Sequence, residues 1–574
     1  MKRTALLSIV AVLLTAASSL VLGVQPSRVS VTDYGAKGDG VTDDTAAFTA
    51  AMKAVADKGG TAFVPVGNYL IKTHLSVPSN VTLEGVWSIP TAFSQMKGST
   101  LLAVEGAGSE TGTPFITLGV NSTVKGITVY YPDQKPEKIV PYPWCIACAG
   151  GDNPSIIDCL LVNPYQGVDF GSHASGRHYI RGLYGQPLRR GVYIDKCYDV
   201  GRIENVHFWP FWRWDTPYLQ NWMWSNSEAF IFARTDWEYV FNTFVFGYKV
   251  GYRFIASPEG AMNGNLLGIG ADATENAVLV EQTQQPGLLI TNGEFVAFAG
   301  ANPCEIVVKD THTGVVQFVN CAYWGPADQI ARIAGTGQVT FSGCNFLGWN
   351  RRNNKTPAIE LYGGELIVNA CNFNGPGPQV ALRGKARSAV VVGNRMGGPL
   401  SVTNPAKADL QIGLNTFAKG PARPKEQAGA IVVDDDDGPP AVRFVGNWLV
   451  TPGGEIGYFK GVHWAYPNAR SGRPLSRPDA SDAKAIFTPN VPKSGRYRVF
   501  AWFGPDPAGD HASNAPVTIS AAGKTVTRRI DLSGKKGEWV ELGTFNFPAG
   551  RKGTVTFTNA ADGNVLADAV KLVR

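Results

Sequence analysis

The chain has 574 residues, of which 44% are hydrophobic and 17% charged, so it can build a large core and is not disordered. Its formal net charge of +6 comes without an arginine-rich stripe, which argues against a nucleic-acid partner. The 66 glycines and 37 prolines indicate many short strands joined by turns.

The first residues have the pattern of a secretory signal peptide. Lys2 and Arg3 precede the apolar run Leu6–Ala17, and small residues follow it. We therefore expect residues 1–24 to be removed on export and the protein to be secreted, either extracellular or periplasmic. No later apolar run is long enough to span a bilayer, so no membrane partner is expected.

A turn-rich stretch followed by a helix comes next. Val31–Phe48 is rich in glycine and aspartate, and apolar residues at helical spacing predict a helix over Asp44–Lys58, capped by Thr42 or Asp43. The aspartates of this stretch are interpreted as turn and cap residues. Together with Gly59–Ile71, the stretch resembles the N-terminal start of the pectate-lyase superfamily. The resemblance implies a right-handed parallel β-helix whose N-terminal end the helix covers, and a polysaccharide as substrate.

A strand-like repeat supports a solenoid. Each copy is a short apolar strand that ends near an asparagine, a residue that tolerates left-handed backbone angles and can hydrogen-bond the asparagine of the next rung. The copies are Val315–Asn320, Val339–Asn345, Leu366–Asn372, Val390–Asn394, Leu410–Asn415 and Val442–Asn447. We expect residues 25–459 to form the β-helix and to be the catalytic domain.

Three of the eight cysteines recur at the spacing of one coil. Cys321, Cys344 and Cys371 stand in similar contexts, so they are predicted to stack as buried thiols rather than to form disulfides. Cys145 and Cys148 have no second pair at zinc-ribbon distance, and no metal site is assigned to them.

Tryptophans and acids are concentrated between His207 and Phe254, and this segment is predicted to hold the active site. Sugar rings stack on aromatic planes while carboxylates act at the glycosidic oxygen. The candidate stacking residues are Trp209, Trp212, Trp214, Trp224 and Trp237. The alternative interpretation is an aromatic plug or a subunit interface.

The sharpest catalytic candidates are Asp236 and Glu238. In an extended strand their side chains point to the same side with Cα atoms about 6.5–7 Å apart, so they could flank one bond as acid and base. That spacing leaves the retaining and the inverting geometries open. Asp215 and Glu228 are reserve catalytic residues.

Glu228 also has a structural interpretation, because Ser225–Glu228 matches a capping box that would open a short helix through Phe232. His207, Arg213 and Arg234 are expected to bind substrate or to tune the acids, since an arginine can hold a substrate carboxylate with two hydrogen bonds.

Polygalacturonase signatures are missing: the chain has no Asn-Thr-Asp, Gly-His-Gly or Arg-Ile-Lys, and Gly171–Gly176 does not match them. We expect a carbohydrate-active enzyme that cleaves a polysaccharide as a hydrolase or a lyase. Two alternatives stay open, a non-catalytic carbohydrate- or surface-binding protein, and a sugar epimerase or fructan transferase. The sequence also leaves open the sugar, its linkage and a homotrimer.

No cofactor is expected, although the acidic run Asp434–Asp437 offers hard oxygen ligands for calcium. Consecutive acids lack the alternation of a calcium loop, so a solvated loop is favoured over a metal site.

Residues 460–574 are predicted to be a separate β-sandwich, because segments such as Gly495–Phe503 and Gly537–Phe547 alternate apolar and polar residues. The Pro- and Arg-rich segment Ser471–Asp479 is interpreted as a linker. The C-terminal part resembles the golvesin C-terminal or xanthan-lyase-type accessory domain, and the resemblance implies carbohydrate binding.

Overall fold

The computed structural model describes residues 27–91, 96–352, 354–375, 377–417, 423–452, 457–459, 461–468, 482–506 and 509–574. The predicted signal peptide and the segment Ser471–Asp479 lie outside these residues. The chain divides into two compact units, Met1–Arg213 and Trp214–Arg574.

The first unit opens with a 3-10 helix, Val31–Tyr34, and the predicted helix, which runs over Thr45–Ala54. The carboxylate of Asp44 is buried and accepts hydrogen bonds from the backbone amides of Lys37 and Gly38, at 2.7 and 3.1 Å. Asp43 accepts from the amide of Thr45, the first helical residue. The interpretation of these acids as turn and cap residues is confirmed.

The strands of the first unit form three sheets, 1A, 1B and 1C, in which successive coils pair in parallel. Sheet 1A contains Arg28–Ser30, Gly60–Val64, Val81–Gly85, Thr123–Lys125, Ser155–Leu161, Tyr179–Gly185 and Arg202–Glu204. Sheet 1B contains Asp39–Asp43, Gly67–Ile71, Ser99–Ala103, Ile127–Tyr130, the ends of Ser155–Leu161 and Tyr179–Gly185, and His207–Phe208. Sheet 1C contains Leu75–Val77, Ile116–Leu118, Trp144–Cys148, Gln166–Phe170 and Arg190–Ile194.

Register explains the core of this unit. Val124, Ile156, Ile180 and Ile203 face one another on successive strands of sheet 1A, and all four are fully buried. Since side chains alternate along a strand, the same register places the polar positions of each strand on the outer surface. The outer surface of the coil is therefore where a functional site can lie.

The coil of the second unit also has three parallel sheets, 2A, 2B and 2C. Sheet 2A contains Glu238–Phe241, Gly264–Leu267, Leu288–Thr291, Val315–Val319, Gln338–Ser342, the ends of Ile359–Asn369 and Val380–Val392, and Asp409–Gly413. Sheet 2B contains Phe244–Phe246, Gly270–Thr274, Glu294–Ala297, Ala322–Tyr323, Asn345–Phe346, Asn372–Phe373, Arg395–Met396 and Thr416–Phe417. Sheet 2C contains Glu228–Phe232, Val250–Phe254, Asn276–Val280, Ile306–Val308, Ala331–Ile333, the starts of Ile359–Asn369 and Val380–Val392, and Val402–Thr403. A helix, Pro217–Asn226, and a hairpin, Ala256–Ser257 with Gly260–Ala261, project from this coil.

The predicted thiol stack is present. Cys321, Cys344 and Cys371 are buried and free of disulfides, and the backbone amide of Cys344 donates to the Sγ of Cys371 at 3.4 Å. The asparagine ladder is also present, because the side-chain amide of Asn320 donates to the Oδ1 of Asn292 at 2.8 Å. Asn292 and Asn320 have left-handed backbone angles, as predicted for Asn320, but the asparagines that end the other predicted copies, Asn345, Asn372, Asn394, Asn415 and Asn447, do not.

The C-terminal sandwich begins earlier than residue 460. It has a four-stranded sheet in the order Ile431–Asp434, Ala569–Val573, Gly495–Phe503, Glu538–Phe547. A five-stranded sheet has the order Val442–Val445, Lys484–Phe487, Thr554–Thr558, Ala515–Ala521, Lys524–Ile530. A three-stranded sheet has the order Leu449–Pro452, Gly461–Ala465, Val565–Ala567.

The predicted boundary between residues 459 and 460 is therefore wrong, as is the last predicted rung. Val442–Val445 pairs antiparallel with Lys484–Phe487, so it is a sandwich strand whose partner lies later in the chain. Apart from this boundary, the all-β architecture is the predicted one, a right-handed parallel β-helix with an N-terminal capping helix, followed by a small β-sandwich.

The acidic run is not a solvated loop. Asp434 ends a strand, Asp435–Asp437 form a 3-10 helix, and the side chains of Asp434 and Asp435 are buried. The expectation of a solvated loop fails because the run is joined to the last strand of the sandwich, a pairing between residues more than a hundred positions apart. None of the helices in the described part of the chain has the length and apolar character needed to cross a membrane.

Candidate functional site

In the first unit, the predicted substrate-binding residues Trp209 and Trp212 belong to an aromatic cluster on sheet 1B. Both rings are partly buried and pack against the buried cluster of Leu160, Val162 and Phe211. The ring of His207 lies 5.6 Å from that of Phe211 and 6.1 Å from that of Tyr184, between centroids. Burial lowers the pKa of His207, so its imidazole is neutral at pH 7. The cluster offers aromatic surface and no carboxylate.

A single glutamine fixes the loop that carries Trp212 and Arg213. The Oε1 of Gln186 accepts from the backbone amides of both residues, at 2.9 and 3.1 Å, and its Nε2 donates to the carbonyl oxygen of Arg213 at 2.7 Å. The structure thus brings Trp209, Trp212 and Arg213 into one short, anchored segment.

In the second unit, Trp214 and Trp224 contribute to packing. Their rings meet edge to face at 5.6 Å, and Trp214 makes a similar contact with Phe246. The indole nitrogen of Trp224 donates to the carbonyl oxygen of Ala273 at 2.8 Å. Trp224 is buried, so its face is not available to a sugar ring.

The predicted capping box is wrong. The helix Pro217–Asn226 ends where the box was expected to open a helix, and Glu228–Phe232 is a strand of sheet 2C. Pairing with Val250–Phe254 satisfies its backbone, and this tertiary contact overrides the local cap pattern. Glu228 forms an ion pair with Arg253 at 2.7 Å, and the same guanidinium donates to Glu281 at 2.8 Å.

The extended geometry predicted for Asp236 and Glu238 is not found. Trp237, between them, has a left-handed φ of 57°, which reverses the side-chain alternation of a strand. Glu238 is fully buried and accepts from the hydroxyl of Thr235 at 2.6 Å. Asp236 is half-buried; its Oδ2 pairs with Arg234 at 3.0 Å and its Oδ1 accepts from the side-chain amide of Gln284 at 2.5 Å.

The four candidate acids therefore do not converge. Glu228 begins a five-residue strand that rises about 13 Å before Asp236 is reached. Asp215 is exposed before the helix, and Glu238 is buried. Of this set, Asp236 combines a partly exposed carboxylate with an exposed aromatic neighbour, Trp237.

A different group of residues, on sheet 1C, has the features of an active site, and we refer to it as the tyrosine site. The hydroxyl of Tyr193 donates to the Oδ2 of Asp195 at 3.1 Å. The ring of Tyr193 stacks on that of Trp144, with centroids 6.4 Å apart and planes 19° from parallel. Burial, with the negative charges of Asp195 and Asp169, raises the pKa of Tyr193, so the phenol keeps its proton at neutral pH.

The positive charge of Arg190 acts on Tyr193 at this site. The Nη1 of Arg190 donates to Glu110 at 2.9 Å and to the Oε1 of Gln166 at 2.7 Å, and Glu110 also accepts from Tyr165. Both contacts of Arg190 use Nη1, and its side chain is 32% exposed. The guanidinium is therefore partly exposed and is shared between a carboxylate and an amide oxygen.

Asp169 also belongs to the tyrosine site, because it is paired with Tyr193 in the register of the neighbouring strands. Its Oδ1 accepts from the backbone amides of Gly171 and Ser172 at 2.9 and 2.8 Å. The ring of Tyr193 packs so closely on Gly171 that a Cβ there would lie 2.4 Å from the ring. Lys196 adds a second cation, donating to the carbonyl oxygen of Ser172 at 2.8 Å.

Sequence reasoning missed this site because its members come from separate coils. Glu110 and Arg190 are 80 positions apart, and no local motif joins them. The one signal in the sequence is the polar interruption Gly171–Gly176, whose first residue packs against Tyr193.

Two parts of the chain match known families. Residues 28–136 match the family "Rhamnogalacturonase A/epimerase, pectate lyase-like", and residues 431–574 match the golvesin C-terminal domain. The second match begins at the first strand of the sandwich, which agrees with the boundary seen in the structure.

Curated relatives cover short parts of the chain. Xanthan lyase of Bacillus sp. (strain GL1) is 32% identical over 173 residues, which are 29% of this chain and 17% of the lyase. Mannuronan C5-epimerase AlgE1 of Azotobacter vinelandii is 39% identical over 79 residues, which are 12% of this chain and 6% of the epimerase. The chain thus spans less than a fifth of either relative. Among solved structures, the A-module of mannuronan C-5 epimerase AlgE6 from Azotobacter vinelandii matches with 16% identity and a TM-score of 0.45, covering 69% of this chain and 100% of that one.

Proposed function

Because the chain joins a pectate-lyase-like β-helix to a golvesin C-terminal domain, we propose that it is a carbohydrate-active enzyme that acts on a polysaccharide containing uronic acid. The observation that carries the proposal is the hydrogen bond between Tyr193 and Asp195 beside the stacked ring of Trp144. One relative is a lyase and another a C5-epimerase, and both reaction types transfer the proton on C5 of a uronate.

Substrate binding follows from the charges at the tyrosine site. Arg190 pairs with the carboxylate of the uronate, and this contact also makes the adjacent C5 proton more acidic. The half-buried ring of Trp144 packs against the sugar ring. Lys196 raises the positive potential of the same surface.

Proton transfer is assigned to Tyr193. In a lyase reaction the C5–H and C4–O4 bonds break and a C4=C5 double bond forms. The phenol gives its proton to the leaving O4 oxygen as the same phenolic oxygen takes up the proton from C5, so Tyr193 ends the step protonated. Asp195 orients the hydroxyl through its hydrogen bond and does not touch the substrate. Tyr193 is thus the catalytic residue and Asp195 a positioning residue.

The test uses the full-length protein on xanthan, alginate and polygalacturonate, with unsaturated uronate followed by absorbance and products by mass. Epimerisation without cleavage is followed by NMR. Tyr193→Phe should lower turnover by about 10²–10⁴-fold. Tyr198→Phe is the matched control, because Tyr198 is 53% exposed in the same unit. Equal turnover of the Tyr193 variant and the wild type would refute the assignment.

A second candidate function is glycoside hydrolysis at Asp236. The favouring observation is a row of exposed aromatic side chains beside it, with Trp237 at 59%, Tyr239 at 43% and Phe241 at 47% exposure. Such a row can hold a neutral glycan by stacking. Loss of turnover in Asp236→Asn, with products that lack unsaturation, would favour this candidate over the tyrosine site. Glu238→Gln tests whether the buried acid beside Asp236 contributes to turnover.

Export and carbohydrate binding by the sandwich complete the proposal. The signal-like start of the chain supports secretion, and the golvesin C-terminal match over residues 431–574 supports an accessory domain to which we assign carbohydrate binding. Pull-down of the full-length protein on insoluble polymer, compared with a chain that ends at Phe417, measures the second point. Equal retention of the two proteins would show that the sandwich does not contribute to carbohydrate binding.

A further inference from the structure

Three aspartates of the C-terminal sandwich bury their carboxylates close together. Asp434 is paired with Ala569 in antiparallel register, and the backbone amide of Asp435 donates to the carbonyl oxygen of Asp568 at 2.7 Å. Asp434, Asp435 and Asp568 are 0%, 4% and 0% exposed. The first and last strands of the sandwich therefore bring three acids into one buried place.

Each of these acids uses one oxygen to anchor itself to the backbone. The Oδ1 of Asp434 accepts from the amide of Asp436 at 3.2 Å. The Oδ2 of Asp435 accepts from the backbone amide of His463 at 3.0 Å and from its ring Nδ1 at 2.8 Å. These contacts fix the direction in which each carboxylate points.

Asp568 follows the same pattern, since its Oδ2 accepts from the amide of Tyr458 at 2.9 Å. The second oxygen of every one of the three acids has no hydrogen-bond partner among the described residues: these are Oδ2 of Asp434, Oδ1 of Asp435 and Oδ1 of Asp568. Buried polar atoms are nearly always paired, so three unpaired oxygens in one cluster indicate a missing ligand.

The surrounding charges do not neutralise the cluster. The guanidinium of Arg423 lies 3.9 Å from Asp434, outside hydrogen-bond distance, and it is bonded to Asp437 instead. Lys571, on the last strand, is paired with Glu426. Burying several carboxylates without a matching positive charge is strongly unfavourable, so a cation or protons must compensate them.

We propose that Asp434, Asp435 and Asp436 bind a hard divalent cation, with Ca²⁺ as the fitting ion and the unpaired oxygen of Asp568 as a further ligand. Two oxygens bound to one Ca²⁺ at 2.3–2.6 Å lie at most about 5 Å apart. Ligand oxygens of Asp434, Asp435 and Asp436 all lie within 4.8 Å of one another. Ca²⁺ takes six to eight oxygen ligands, so Asp568 and waters complete the shell.

The role of this ion is structural. It joins the end of the first sandwich strand, Ile431–Asp434, to the start of the last, Ala569–Val573. The site lies outside both candidate active sites and does not depend on the proposed function. Binding should therefore change the stability of the sandwich and leave the chemistry at Tyr193 unchanged.

The direct test measures metal in the full-length protein. After dialysis against EGTA, the protein is titrated with CaCl₂ up to about 10 mM by calorimetry, with MgCl₂ and ZnCl₂ as separate arms, and bound metal is counted by mass spectrometry. We expect one Ca²⁺ per chain and a higher melting temperature in CaCl₂. No bound divalent metal, with a melting temperature that Ca²⁺ does not change, would overturn the proposal and leave protons as the compensating charge.

Two variants locate the site. Asp568→Asn and Asp436→Asn should each weaken Ca²⁺ binding by at least about tenfold. Asp531→Asn is the matched control, because Asp531 is an exposed aspartate of the same sandwich whose contacts are to Ser533. Asp436 is exposed, so its variant keeps the test valid if Asp568→Asn does not fold. Unchanged Ca²⁺ affinity in Asp436→Asn and Asp568→Asn would place the ion elsewhere.

Discussion

Replacing Glu305 is expected to change how the stability of the second unit depends on pH. The side chain is fully buried, and neither carboxyl oxygen has a hydrogen-bond partner among the described residues. Its backbone is held between neighbouring coils, since its amide donates to Gln329 and its carbonyl oxygen accepts from Val278. The side chain therefore cannot leave the interior without breaking the coil.

Burial raises the pKa of Glu305 well above its ordinary value of 4.5. The folded state then binds the proton more tightly than the unfolded state, so the stabilisation is complete below the unfolded-state pKa. It is lost as pH rises toward the folded-state pKa. Within that window the loss is about 1.4 kcal/mol per pH unit, or up to about 2.7 kcal/mol between pH 5 and pH 7.

Glu305→Gln removes this slope. Glutamine has nearly the same shape and leaves its polar atoms as poorly paired as the protonated acid does. The variant and the wild type should therefore have similar stability at pH 5 and separate as pH rises, with the variant more stable at pH 7. For a unit of this length the separation is about 2 °C in melting temperature per pH unit.

The assay is scanning calorimetry at four pH values from 5 to 8. Glu294→Gln is the matched control, because Glu294 is an exposed glutamate in the same coil. Glu305→Met, which removes the polar atoms as well, should be more stable than Glu305→Gln at every pH. Parallel pH curves for Glu305→Gln and the wild type would show that Glu305 is not titrating in the buried state.

Three further outcomes are expected. Asn320→Gly should lower the free energy of unfolding by about 1 kcal/mol, because the ladder hydrogen bond is lost. Asn320→Ala should lower it by about 1–2 kcal/mol more, because residue 320 has a left-handed φ of 53° that alanine disfavours. Chemical denaturation of both variants measures the difference. The thiol of Cys344 should be unreactive to a thiol reagent until the protein unfolds, and rapid labelling of the native protein would contradict the buried stack. A chain ending at Tyr458 should be degraded by protease, since it keeps Val442–Val445 without its partner strand, while a chain ending at Phe417 should resist; equal resistance would contradict the revised boundary.

The solenoid was predictable because its signals repeat. Each coil places an apolar strand and an asparagine at nearly the same interval, so the copies reinforce one another, and the stacking of Asn292 and Asn320 follows from that period. The thiol stack was predictable for the same reason. The sandwich boundary was not, because Val442–Val445 has the composition of a rung and only its antiparallel partner distinguishes it.

The predicted catalytic pair failed at a single backbone angle. An extended Trp237 would have placed Asp236 and Glu238 on one side, but the left-handed angle found there sends one acid to the surface and the other into the core. A tryptophan rarely adopts that angle, so no rule based on residue type could have foreseen it. The high density of tryptophans did not locate a sugar-binding surface either, because Trp224 is buried and contributes to packing.

The tyrosine site shows which information a sequence lacks for this fold. On a β-helix, the side chains that share a surface are one coil apart, and loops of unequal length vary that separation from coil to coil. Trp144, Gln166 and Arg190 meet across three successive strands at separations of 22 and 24 residues, whereas Glu110 enters from a loop. The buried apolar residues and the turns set the register between neighbouring strands. That register then determines which polar side chains lie next to one another on the outer surface. A search for catalytic groups on such a chain should therefore compare positions across aligned coils rather than within one segment.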